Sequence, residues 1–268
     1  MKYIKATILS VVASLSIVNA GGDMTPIASE ATVAPIEQES SWSYQLQIYA
    51  LAPWIEGDAS MGYQRLLLDG ENSIEGVAVD MSPKTIVDTL NLGTMAHFEA
   101  HQDSSWGFWL DYVFMDLGKD INSEAELGMF QGILEAFATY RVPLEKGYID
   151  YYGGVRWWSI SLDMTINSNA RERSFDWYDP VIGLVWVTPI ADNWNFRVRA
   201  DVAGFGIESH FSSAIELGVL YDIDESWQVD MRVKSIWVDY EDGEIGREDR
   251  FVYDTVSYGP IVGITYKF

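Results

Sequence analysis

The sequence predicts an all-β protein: a single antiparallel transmembrane β-barrel of about ten strands, with eight or twelve as the neighbouring possibilities. Three observations carry this. An export signal opens the chain, and no later segment has the 18 or so consecutive apolar residues that a helix needs to cross a bilayer. Ten segments alternate apolar and polar residues with a period of two. The connections between those segments alternate strictly between short and long, as turns and outer loops do in outer-membrane barrels.

Composition excludes several other classes. Among 268 residues, 17 are Lys or Arg and 40 are Asp or Glu, for a formal net charge of −23. A nucleic-acid partner needs basic stripes and is not expected. There is no cysteine, which removes disulfides, thiolate nucleophiles and Cys-ligated zinc. With 3 histidines (His97, His101, His210), no metal site is expected. His97 and His101 lie about 13 Å apart on one face of a strand, too far to share a metal. No cofactor is expected either.

Lys2 and Lys5 precede the uncharged run 6–18, and Val18-Asn19-Ala20 follows. This is the pattern of a secretory signal peptide over residues 1–20, cleaved after Ala20. Residues 21–41 hold Pro26, Pro35, Glu30, Glu37 and Glu39 without any period, and read as a flexible acidic leader. The barrel domain is expected over 42–268.

The expected strands are 42–54, 92–102, 105–118, 128–142, 147–166, 176–190, 193–207, 211–223, 226–241 and 251–268. Trp194-Phe196-Val198-Ala200-Val202, for example, alternates with Asn195, Arg197, Arg199 and Asp201. Charges this frequent on the second face fit a polar lumen better than a sandwich core. Short links are expected at 101–105, 143–147, 190–193 and 221–226. Long outer loops are expected at 55–91, 118–127, 167–175 and 241–250, with a compact link at 206–210. Within 55–91, residues 73–80 could form an extra strand, and Ser82-Pro83 suits the N-cap and first position of a short helix through Leu90. Two further strands there would raise the count to twelve. Trp42, Trp54, Trp106, Trp177, Trp194, Trp227, Trp237, Tyr140 and Tyr266 fall near strand ends, as an aromatic girdle requires.

Several segments resemble a largely uncharacterised family of bacterial outer-membrane β-barrel proteins. They are Trp106-Gly107-Phe108 with Asp111, Gly153-Gly154-Val155-Arg156-Trp157, Asp179-Pro180-Val181-Ile182-Gly183, Gly204-Phe205-Gly206 and Gly259-Pro260. Val185-Trp186 departs from the family pattern, in which a basic residue precedes the aromatic. The resemblance implies the barrel and no activity. The end of the chain, with Gly263, Tyr266 and the terminal Phe268, also resembles the signal read by the bacterial barrel-assembly machinery. That machinery, outer-membrane lipid and lipopolysaccharide are the expected partners, and the bacterial outer membrane is the expected location. Acidic outer loops would gather divalent cations near lipopolysaccharide.

If the aromatic faces meet lipid, the lumen is lined by Glu99, Asp111, Glu135, Arg141, Asp150, Arg156, Asp179, Arg197, Arg199, Asp201, Glu216, Asp230, Arg232 and Lys234. These charges nearly cancel. Two readings follow: a narrow passive channel for small solutes, which is the first expectation, or an ion-paired sealed lumen serving a structural or surface-interaction role. No enzyme is expected. The remote alternative, a lipid hydrolase, would use His210, Ser212 and Glu216, a base, hydroxyl and acid on one predicted strand face, or Glu208 as the acid instead.

Overall fold

The computed structural model describes residues 41–61, 77–103, 105–122, 125–166, 169–244, 247 and 250–268. The signal peptide and all but the last residue of the acidic leader lie outside these residues. The strands are β1 (Trp42–Leu51), β2 (Trp54–Met61), β3 (Val77–Met81), β4 (Leu90–Gln102), β5 (Trp106–Asn122) and β6 (Ala125–Pro143). They continue with β7 (Tyr148–Ile166), β8 (Asn169–Ala191), β9 (Trp194–Ala203), β10 (Phe211–Asp222), β11 (Trp227–Asp242) and β12 (Phe251–Lys267). One helix, α1 (Pro83–Thr89), precedes β4. No described helix is long and apolar enough to cross a membrane.

β4 to β12 pair in sequence order, each antiparallel to the next, and β1 joins both β4 and β12. Ten strands therefore form a closed ring. Over the paired lengths, closure removes the unpaired edges that an open sheet would present. At the seam, Tyr44 and Phe268 exchange two backbone hydrogen bonds of 2.9 Å each.

The stretch 55–91 departs from the expected outer loop. β1 halts at Ala52-Pro53, and the chain resumes as β2 along the other half of β12, from Trp54↔Tyr258 to Met61↔Phe251. β3 adds to β2. The two extra strands exist, yet they extend the wall beside the ring and do not enlarge it to twelve, because β1 has already closed against β12. Pro53 lacks an N–H and interrupts the ladder where the wall changes partner. Residues 77–80 of the expected extra strand are found in β3, and 73–76 lie outside the described residues. The helix begins as expected: the Ser82 hydroxyl accepts from the Thr85 amide at 3.2 Å, with Pro83 in the first turn.

Two other expected loops are shorter than the sequence suggested. β5 and β6 run on to pair Asn122↔Ala125, and β7 and β8 continue to Ile166↔Asn169. The ladder is made by backbone groups, so antiparallel pairing can continue through these polar segments. β9 ends at Ala203, short of the expected 207, where Gly204, Phe205 and Gly206 adopt positive φ and fold the link 204–210 back.

The outer face carries two aromatic levels. Near the short turns, Trp106 and Tyr140, Trp194 and Tyr221, and Trp227 and Tyr266 form cross-strand pairs with ring centroids 4.8–5.0 Å apart. Towards the long hairpins lie Trp54, Tyr178, Phe211 and Trp237, all exposed. Between the levels the exposed face is Leu46, Ile48, Leu110, Ile182, Leu217, Val233 and Ile264, among others. An apolar band between amphipathic rings is the surface a hydrocarbon layer selects.

Trp177 does not belong to the girdle. It is buried inside the ring, stacked 4.0 Å from Tyr240 and 5.5 Å from Trp158. Trp109, Phe137 and Phe251 also point inward. A period of two fixes that neighbours oppose each other but not which set faces in, and in β8 Trp177 shares the inward set with Asp179 and Val181.

Candidate functional site

The candidate site is the lumen. Every charged residue expected to line it does point inward: Arg141 and Arg197 are partly buried, and the other twelve are buried. Inward direction follows from the pleat, since residues two apart share a face. What each one meets follows from the stagger between strands.

At the turn end, Asp150 takes a bidentate contact from Arg141, with Nε–Oδ1 at 2.8 Å and Nη2–Oδ2 at 2.6 Å. The same guanidinium reaches Glu99 at 3.3 Å and lies 3.7 Å over the Tyr148 ring. His101 Nε2 is 2.6 Å from Glu99, and its Nδ1 has no hydrogen-bond partner among the described residues. Glu99, His101 and Asp150 bring three ligand-type atoms close together. Arg141 contacts all three residues and already supplies a cation there. His97 turns to Asp111 at 3.1 Å, and the Tyr49 hydroxyl donates to the other Asp111 oxygen at 2.8 Å. A polar cavity of about 190 Å³ sits at this end, bordered by Gln45, Glu99, Asp150, Arg197 and Lys267.

Deeper in the lumen, Arg232 bridges Glu216 (2.8 Å), Asp230 (2.5 Å) and the Gln47 carbonyl (2.8 Å). Arg197 pairs with the same Glu216. Lys234 stands opposite Glu216 in the β10–β11 register. At the centre, Arg156 donates to Glu135 at 2.7 Å, to both Asp201 oxygens at 3.0 Å and to Ser212 at 3.2 Å. Arg199 donates to Glu135 and Asp201 at 2.9 Å each and to Tyr152 at 3.0 Å. Arg156 has 0% exposure. Two guanidiniums face two carboxylates here, and although Glu135 Oε2 accepts no hydrogen bond it lies 2.8 Å from Arg199 Nη2, so each buried charge has an opposite charge beside it.

Asp179 is inward and buried but has a different partner set. It accepts from the Ser209 amide (3.1 Å), the Ser209 hydroxyl (2.9 Å) and Trp158 Nε1 (3.1 Å). It therefore holds the link 204–210 against the barrel interior. Beyond it, Trp158, Trp177, Tyr240, Phe251 and Tyr253 form an apolar cluster across the hairpin end. Val185, where the family resemblance leads one to expect a basic neighbour to Trp186, is buried and lines the turn-end cavity.

His210, Ser212 and Glu216 do not converge. His210 is exposed and its Nδ1 lies 3.5 Å from Asp239. Ser212 is buried beneath Arg156, and Glu216 is committed to Arg197 and Arg232. The predicted shared face fails because β10 begins only at Phe211. Sequence reasoning also missed Gln47, Tyr49 and Tyr152, which join the network through side-chain hydrogen bonds. Their inward period was visible, but neutral residues were not counted with the charges.

No family model matches the chain, and no curated protein matches it. Solved structures do. The outer-membrane protease OmpT of Escherichia coli is similar at 7% identity and TM-score 0.48, over 86% of this chain and 97% of that one. The attachment invasion locus protein Ail of Yersinia pestis aligns at 10% identity and TM-score 0.37, over 85% and 98%. Neisserial surface protein A aligns at 12% identity and TM-score 0.32, over 85% and 99%.

Proposed function

We propose that this chain is an integral protein of a bacterial outer membrane whose barrel is sealed, and that it acts through its wall and rims as a structural or surface-interaction barrel. The observation that carries the reading is the fully buried Arg156, locked to Glu135 and Asp201 below the Trp158–Trp177 cluster. Eight strands leave an interior just filled by side chains. Ten leave slightly more, and here long Arg and Trp side chains occupy it. The two aromatic levels and the apolar band between them support the location. Contacts with lipid, lipopolysaccharide and the assembly machinery belong to the same proposal.

A narrow channel is the second reading, favoured by the polar cavity at the turn end. Passage beyond it would require the Arg156–Glu135–Asp201–Arg199 set to part. Recordings from refolded protein in planar bilayers separate the two. Silent membranes are expected, and reproducible conductance steps at modest voltage would overturn the sealed reading. The dispersed positions of His210, Ser212 and Glu216 give no support to the hydrolase alternative that used them.

A further inference from the structure

The barrel wall has a break at hydrocarbon depth. β1 and β4 pair from Trp42↔Gln102 to Ile48↔Ala96 and then diverge. Beyond that point β1 keeps only its β12 neighbour, through Leu51↔Ile261, and β4 keeps only β5. The Leu51 amide, which the lost ladder would have satisfied, points instead to the Met95 thioether at 3.1 Å, a weak acceptor. The helix α1 sits beside the gap with Ile86 buried. Between them is a cavity of about 360 Å³ whose walls include Ala50, Leu51, Ile86, Leu90, Met95 and Met115. That volume falls within the range of small-molecule pockets.

The position of the gap indicates what enters it. Along β1 and β12 it lies above the ring pair Tyr44–Phe268 and below the stacked pair Trp54–Tyr258, that is, between the two aromatic levels. Its mouth is bordered by Ile48 and Val87, 64% and 67% exposed on the outer face. Its inner end is Met95 and Met115, only 9% and 6% exposed. Methionines adapt to a flexible apolar guest. Unpaired backbone facing lipid is costly, and such backbone is found where it borders a cavity.

We propose that this lateral gap binds one acyl chain of a phospholipid of the surrounding bilayer, inserted between β1 and β4 beneath α1. The inference rests on the membrane placement above and is independent of whether the lumen conducts. The experiment uses the full mature chain refolded into phosphatidylethanolamine/phosphatidylglycerol vesicles containing phosphatidylethanolamine with a mid-chain diazirine. After illumination, peptide mass spectrometry maps the adducts. Outward Ile182 and Met231 report general lipid contact and test the placement, while Met95 and Met115 report the cavity. Adducts at Met95 or Met115 comparable to those at Met231 are expected. Ala50→Trp places a bulky ring across the mouth. In that variant, with folding checked by heat-modifiable gel mobility, cavity adducts should fall at least about fivefold while those at Ile182 and Met231 persist. Labelling of Ile182 and Met231 without Met95 or Met115 overturns the site and leaves the membrane placement intact. Cavity labelling unchanged by Ala50→Trp overturns entry through this mouth. No labelling anywhere on the outer face removes both readings.

Discussion

Arg156→Met is the substitution that tests the lumen network most directly. Arg156 makes four hydrogen bonds, to Glu135, Asp201 and Ser212, with no solvent exposure. Methionine keeps much of the volume and removes the charge. Among the described ion pairs, Glu135 and Asp201 are then left to share Arg199, so about one buried negative charge loses its ion-pair partner. Breaking a buried pair in this way costs about 3–5 kcal/mol, two to nearly four orders of magnitude in the unfolding equilibrium. Urea unfolding of the protein in lipid vesicles, followed by tryptophan fluorescence from both directions, measures it. The double variant Glu135→Gln/Arg156→Met removes the orphaned carboxylate and leaves Arg199 with Asp201, so it should recover more than half of the loss. Arg247→Met breaks an exposed pair with Glu244 and should cost less than about 1 kcal/mol. If Arg156→Met costs no more than Arg247→Met, or if the double variant is no better than the single, the lumen is not held by this network.

Three further outcomes are expected. Trp177→Ala empties the centre of the hairpin-end cluster and should cost about 3–5 kcal/mol in the same assay; a loss below about 1 kcal/mol would show that the cluster is loosely packed. A Cβ at Gly154 would lie 2.1 Å from the Ala136 carbonyl oxygen and 2.9 Å from Phe137 Cα, whereas one at Gly153 would lie 3.5 Å from its nearest neighbour, the Val181 oxygen. Gly154→Ala should therefore sharply reduce the folded, heat-modifiable fraction on gels while Gly153→Ala folds, and equal yields would contradict the close β6–β7 approach. Deleting Phe268 removes both seam hydrogen bonds to Tyr44 and a ring contact at 5.6 Å; membrane fractionation after pulse-labelled expression should show slower assembly, and an unchanged rate would remove Phe268 from the assembly signal.

The inward direction of the charged set was legible in the sequence because it is a local property. A strand turns alternate residues to opposite faces, so Arg197, Arg199 and Asp201 must share a side wherever that strand lies. The positions of ten strands and of the Ser82-capped helix were legible for the same reason. Ring closure, by contrast, depends on which distant strand each edge meets. No periodicity in 42–61 says that its first half pairs with β4 and β12 and its second half with β12 and β3, and Pro53 marks the change without naming the partners. The choice of partner also decided that Asp179 holds Ser209 while Asp201 holds two arginines, although both acids look alike in sequence. Trp177 was misread because hydrophobicity does not distinguish lipid from a packed interior. Local stereochemistry therefore fixed the strands and their faces. Long-range register fixed the ion pairs, the apolar cluster and the gap beneath α1, since these join residues far apart in the chain, as Gln47 and Arg232 are at 185 positions.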